Sequence, residues 1–208
     1  MIFWCTLRCC VNGATDILVS MKYFTYQLIA AMNDWTEQSE EMRLDADRRF
    51  SEAVNHYHGS LQELRPRINR QAWHFFANGH GRLGLHDVRL ISLSIGDGLD
   101  YRPDGACPFR VNRQRTAARI LFLNHEQDLL YTFDLKGVDR MSNDLLRSEA
   151  PNWCLGDLFT YEITVVDKNL LQLGFLFASG ATIVAQFTNL IFRRQRIKRE
   201  YPARDVYR

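Results

Sequence analysis

The chain has 208 residues, 46% hydrophobic and 12% aromatic, which is enough to bury a core within the size of one ordinary domain and excludes disorder as the starting assumption. Its 26 basic and 24 acidic side chains leave a net charge of +2, so no long-range field steers it to nucleic acid or anionic lipid, and any basic character is local. Of five cysteines, Cys5, Cys9 and Cys10 crowd the opening; an odd count without C-x-x-C pairs implies neither a disulfide framework nor a zinc site.

Cys107 and Cys154 read as small apolar fillers, and a reducing, cytoplasmic setting fits this usage. Residues 1–20 begin apolar, but Arg8, Asn12 and Asp16 interrupt the run before it reaches the length of an export-signal core. Lipidation of Cys9 and Cys10 would need a neighbouring basic cluster or second lipid signal, and the sequence has neither. The text changes at Met21, where helical spacing begins. The expectation is that residues 1–20 are an extension foreign to the fold and that 21–208 form one unit: 21–78 helical, 85–192 sheet and 193–208 a basic tail.

Phe24, Leu28, Ala31 and Met32 recur at helical spacing, with Thr25 placed to cap the start. Residues 36–64 carry Met42, Ala46, Phe50, Ala53, Val54 and Tyr57 every three or four positions, which predicts a long amphipathic helix with a charged, solvated outer face. Pro66 breaks it. A shorter helix is predicted over residues 69–77, burying Trp73 and Phe76 and closed by Asn78 and Gly79.

Beyond residue 85 the period changes from 3.6 to 2. Ile91, Leu93 and Ile95 alternate with serines and run into the Gly96-Asp97-Gly98 turn signal. Leu129, Tyr131, Phe133 and Leu135 alternate with Thr132, Asp134 and Lys136, and Phe159, Tyr161, Ile163 and Val165 with Thr160, Glu162 and Thr164. Turns at Asp167-Lys168-Asn169 and Ser179-Gly180 bracket another strand. Turns this short join antiparallel neighbours. The predicted class is α+β: N-terminal helices packed on a mostly antiparallel sheet of about six strands.

Residues 170–192 carry no charge and precede Arg193, Arg194, Arg196, Lys198 and Arg199, which is also how a membrane helix with a cytoplasmic anchor would read. Gln172, Gln186, Asn189, the mid-span Ser179-Gly180 turn and the alternation of Leu171, Leu173, Phe175 and Phe177 favour a core hairpin instead. The five cations form a local positive patch able to touch phosphates, but no aromatics interleave with them to stack bases, so a solvated edge is preferred over nucleic-acid binding.

Gly79-His80-Gly81-Arg82-Leu83-Gly84 spells G-x-G-x-x-G, yet it follows a helix and leads into a strand, the reverse of the order a dinucleotide site needs. His56 and His58 lie two apart on a helix and point in different directions. His86-Asp87 is expected to be a corner fixing strand entry, with Asp87 accepting backbone N–H bonds; Asp157 is expected to do likewise. Both sites are candidates for a binding surface. His80, His86 and Asp87 together could supply N and O ligands for a metal-dependent hydrolase, but no fourth ligand is evident, so neither metal nor cofactor is expected. No catalytic signature of a hydrolase elbow, zinc protease or P-loop occurs.

The opening Met21-Lys22-Tyr23-Phe24-Thr25, with the charged helix and the later Leu85-His86-Asp87, resembles an uncharacterised family of bacterial proteins that begin MKYFT. The sheet portion, through residues 156–162 and 175–183, is similar to the small β-rich domains of bacterial immunity-type proteins, which neutralise a toxin by binding it. The resemblance covers residues 21 to about 192. It implies a non-catalytic cytoplasmic module whose partner is another protein, engaged through an exposed sheet face or the loops at His86, Asp87 and Asp157.

Overall fold

The computed structural model describes residues 20–33, 39–78, 84–96, 99–101, 109–111, 116–144 and 155–197. Three helices come first: α1 (Tyr26–Asn33), α2 (Glu40–Leu64) and α3 (Arg70–Ala77). Ser39 caps α2, its hydroxyl accepting the Met42 N–H at 3.3 Å, and Glu40 and Glu41 complement the dipole of the first turn. Arg48 ties Asp45 and Glu52 on the solvent face, while Ala46, Tyr57, Leu61 and Leu64 are buried. Asn69 caps α3 through Ala72 N–H at 2.8 Å, and Asn78 closes it.

Among the described residues ten strands follow: β1 (Arg89–Gly96), β2 (Leu99–Tyr101), β3 (Phe109–Val111), β4 (Ala117–Leu123), β5 (Leu129–Lys136), β6 (Arg140–Asp144), β7 (Leu158–Val165), β8 (Leu171–Phe177), β9 (Thr182–Phe187) and β10 (Asn189–Arg196). They form two four-stranded sheets, ordered β1-β4-β5-β10 and β6-β9-β8-β7, and a separate β2-β3 pair. Every pairing is antiparallel. The α+β class therefore stands, but with ten strands in place of about six. The short strands β2, β3 and β6 give little period to read, and β4 is almost continuously apolar.

Residues 170–192 form β8, β9 and the start of β10, which rules out a membrane helix in this segment. Among the described residues no helix is long and apolar enough to cross a membrane. The stretch read as the hairpin's second strand divides at Thr188, where the chain leaves one sheet for the other. There β5 continues into β6 just as β9 continues into β10, with Lys136 paired to Asn189 and Gln186 to Arg140 on either side of the bend. Thr188 N–H and Oγ1–H both donate to Lys136 O, at 3.0 and 3.1 Å. Gly137 permits this closure: its φ is +59°, and a Cβ there would collide with Thr188 Oγ1.

The core fills the space between the sheets. Phe122 of β4 meets Phe175 of β8 with ring centroids 4.9 Å apart, and Phe133 of β5 meets the same ring at 5.4 Å. Phe75 of α3 is stacked on Phe192 of β10 (4.2 Å) and Tyr161 of β7 (5.6 Å), so this helix packs against both sheets.

The second sheet is covered on its other face too, and every residue of β8 is buried. Residues 20–24 lie across it: Met21 Cγ comes within 2.9 Å of where a Gly174 Cβ would be, and Gln172 Nε2 donates to Ser20 O at 2.9 Å. Glu162, on the polar face of β7 by alternation, is fully buried beneath this segment. Its carboxylate accepts the backbone N–H groups of Lys22, Tyr23 (2.8 Å) and Phe24 (3.1 Å). Lys22, Tyr23 and Phe24 of the MKYFT sequence thus seat the chain on a buried acid. Tyr57 of α2 extends the cover, packing its ring on Phe24 and accepting the Ile163 N–H at 3.3 Å through its hydroxyl.

Candidate functional site

Three chain segments converge at one end of the sheets and enclose a cleft of about 420 Å³, lined by Gly84, His86, Asp87, Asn124, His125, Glu126, Leu129, Tyr131 and Asp157. That volume lies in the range of ligand pockets, roughly 300–1,000 Å³. The entry to β1 and the entry to β7 are stitched together by backbone hydrogen bonds, Asp87 N–H to Leu158 O (3.2 Å) and Leu158 N–H to Val88 O (2.9 Å). Asp87 adopts the left-handed region at φ 62°, one of the few non-glycine residues that tolerates it. Its carboxylate faces His86 Nδ1 at 2.7 Å, both side chains being largely exposed. Asp87 therefore holds the strand entry through its own N–H, while its carboxylate, expected to accept backbone bonds, is turned to the neighbouring imidazole.

Asp157 is likewise a junction residue. Its carbonyl accepts the Ala178 N–H at 3.0 Å, and its carboxylate meets Arg89 Nε at 3.3 Å. The third segment is the β4–β5 turn, organised by Asn124. The Asn124 side-chain oxygen accepts the N–H groups of Asp128 (3.0 Å) and Leu129 (2.8 Å), and its amide nitrogen donates to Glu126 (2.8 Å) and Asp128 (2.7 Å). This network, with Gln127 at φ 56°, presents His125 and Glu126 at the cleft. Tyr131 lies beneath, 1% exposed, its hydroxyl pushed to a higher pKa by burial and drawn back in part by Arg194.

His86, Asp87 and Asp157, distant in sequence, thus meet at one site. Asn124, His125 and Glu126 were not anticipated, although the polar cluster Asn124-His125-Glu126-Gln127-Asp128 between two apolar strands marks a turn. His80 lies outside the described residues, as do Lys198 and Arg199. Among the described residues no three His, Cys, Asp or Glu side chains are grouped to hold a metal ion.

The remaining cations of the tail belong to β10, and strand alternation divides them. Arg193 projects from the outer face of the first sheet, where Nη1 meets Asp134 Oδ2 at 2.6 Å. Arg194 is in register with Tyr131 on the opposite pleat, and Arg196 approaches Asp128 at 3.9 Å. The expected single positive patch is therefore split between two faces.

Fold and cleft together define an α+β protein with two antiparallel sheets and a polar, mixed-charge cleft where their strand entries meet. No protein-family model, curated protein or solved structure matches this chain.

Proposed function

We propose that the protein is a non-catalytic binding module that engages another protein through the cleft formed by His86, Asp87, His125, Glu126 and Asp157. The observation that carries this reading is the convergence of three separate turns on one solvent-open cleft. Its polar groups are suited to recognition: three carboxylates, two imidazoles and one amide around a Leu129–Tyr131 floor. Among the lining residues the one hydroxyl is that of Tyr131, whose pKa burial raises. A cationic side chain of the partner is the complement of Asp87, Glu126 and Asp157.

The immunity-type resemblance of the sheet portion supports a role in a bacterial cytoplasm, where such a module would bind and neutralise a toxin. Affinity capture from the native cell tests this, comparing the wild-type chain with an Asp87→Asn/Asp157→Asn variant that keeps side-chain volume. A protein retained by the wild type and lost by the variant supports the reading. Equal capture by both refutes the cleft as the contact. Stoichiometric zinc or manganese binding that depends on His80, His86 and Asp87 would replace it with the metal-dependent hydrolase reading.

A further inference from the structure

We propose that the outer face of the first sheet, centred on Arg119, Asp134 and Arg193, is a docking surface for an acidic segment of a partner protein. This surface is distinct from the cleft: its side chains project from the pleat opposite to that of Tyr131. The helices are engaged elsewhere, with α2 beside β7 and Phe75 of α3 turned into the core against Phe133.

On this face Asp134 sits between two guanidiniums, Arg119 Nε at 2.6 Å across β4–β5 and Arg193 Nη1 at 2.6 Å across β5–β10. The carboxylate is 9% exposed, whereas the arginine side chains are 56% and 57% exposed. The acid is the buried partner and the cations are the presented ones. A guanidinium carries five N–H donors, and each arginine here gives one to Asp134, leaving the rest directed to solvent. Lys136 continues the outward row along β5 and is exposed. Three cations and one anion give the patch an excess of positive charge. Asp134 also holds both guanidiniums in fixed orientations, which lowers the entropy lost on binding and favours planar, paired contacts with carboxylates.

The apolar neighbours decide between an acidic protein and a nucleic acid. Leu121 and Ile191 are half-buried on the same face, next to Thr132, and no aromatic side chain projects from these four strands on that side. A phosphate backbone offers nothing to cover leucine and isoleucine, and its bases would find no ring to stack on. An acidic peptide with interspersed aliphatic residues satisfies both the guanidiniums and the aliphatics, in the manner of an interface with an apolar centre and oriented arginines.

The test is an NMR titration of the full ¹⁵N-labelled chain with three probes: a short synthetic peptide of alternating Glu and Leu, its Lys–Leu counterpart, and a single-stranded oligothymidine. The expected result is saturable shifts of the Ser94, Arg119, Thr132 and Ile191 amides with the Glu–Leu peptide alone. Arg193→Gln and Lys136→Glu should each weaken that binding by about fivefold or more. Lys136→Glu leaves the buried Asp134 pairing untouched, so it remains informative if Arg193→Gln unfolds the sheet. The Asp87→Asn/Asp157→Asn variant should bind the Glu–Leu peptide unchanged, which separates this surface from the cleft. Absence of shifts at these amides, equal or tighter binding of oligothymidine or the Lys–Leu peptide, or full affinity in Lys136→Glu would overturn the proposal.

Discussion

Truncating Glu162 to alanine removes the acceptor of three backbone N–H groups at once, those of Lys22, Tyr23 and Phe24. A donor left unsatisfied in a buried setting costs about 1–3 kcal/mol. Lys22 and Tyr23 are partly accessible to water, whereas the Phe24 bond is buried, so the full penalty falls on one donor and a reduced one on two. Relief from desolvating the carboxylate offsets part of this, and the net loss is expected at about 3 kcal/mol. Glu162→Gln keeps the volume and one acceptor oxygen, and is expected to cost about half as much.

Burial raises the Glu162 pKa, and its three backbone hydrogen bonds and Lys22 only partly oppose the rise. The native state therefore retains its proton at a pH where the unfolded chain has released it. Its contribution to stability is complete below the ordinary glutamate pKa of about 4.3 and is lost as pH rises through the native value. The stability difference between wild type and Glu162→Gln should accordingly widen as pH falls through the raised native value toward the ordinary glutamate pKa. Urea unfolding followed by circular dichroism gives both numbers, and tryptic cleavage after Lys22 reports whether the segment has lifted. If Glu162→Ala unfolds within about 0.5 kcal/mol of wild type and Lys22 is no more readily cut, the reasoning about the buried acid fails.

Gly137→Ala forces a Cβ against Thr188 in a left-handed backbone and should cost about 1–3 kcal/mol, read as a lowered Tm; an unchanged Tm would show that the bend can relax. Tyr57→Phe strips the acceptor from Ile163 N–H, with an expected loss of about 1–2 kcal/mol and faster hydrogen exchange at that amide. Asn124→Ala frees the Asp128 and Leu129 N–H groups and should cost about 1–2 kcal/mol, with amide shifts at His125 and Glu126; native-like shifts there would show that the turn holds its shape without the amide.

The helices were legible because their signals are local. The shorter helix, read over residues 69–77, runs Arg70–Ala77 with Asn69 as its cap, and Tyr57 falls on the buried stripe that the period of the long helix marks. Strands with one wet and one dry face were equally plain, as in β5. Alternation misleads where both faces are dry. It sets Glu162 opposite Tyr161 correctly, but nothing local reveals that residues 20–24 cover that side. Likewise β4 hides because Ala117–Leu123 is apolar at nearly every position, and the Thr188 bend hides because its cause, the close approach of Gly137, lies about fifty residues away. At the cleft, Asp87 and Asp157 could be read as turn residues from their neighbours. Their meeting with Glu126 is a product of strand order, which no short window contains.

The strands that pass through the bend at Gly137 and Thr188 give the two layers a common spine. Peeling one layer from the other would require breaking the hydrogen-bonded rungs on both sides of that hinge, so the layers should come apart in a single step. Amide protection along Phe133, Val184 and Phe192 would then fade at one denaturant concentration, whichever layer each residue belongs to.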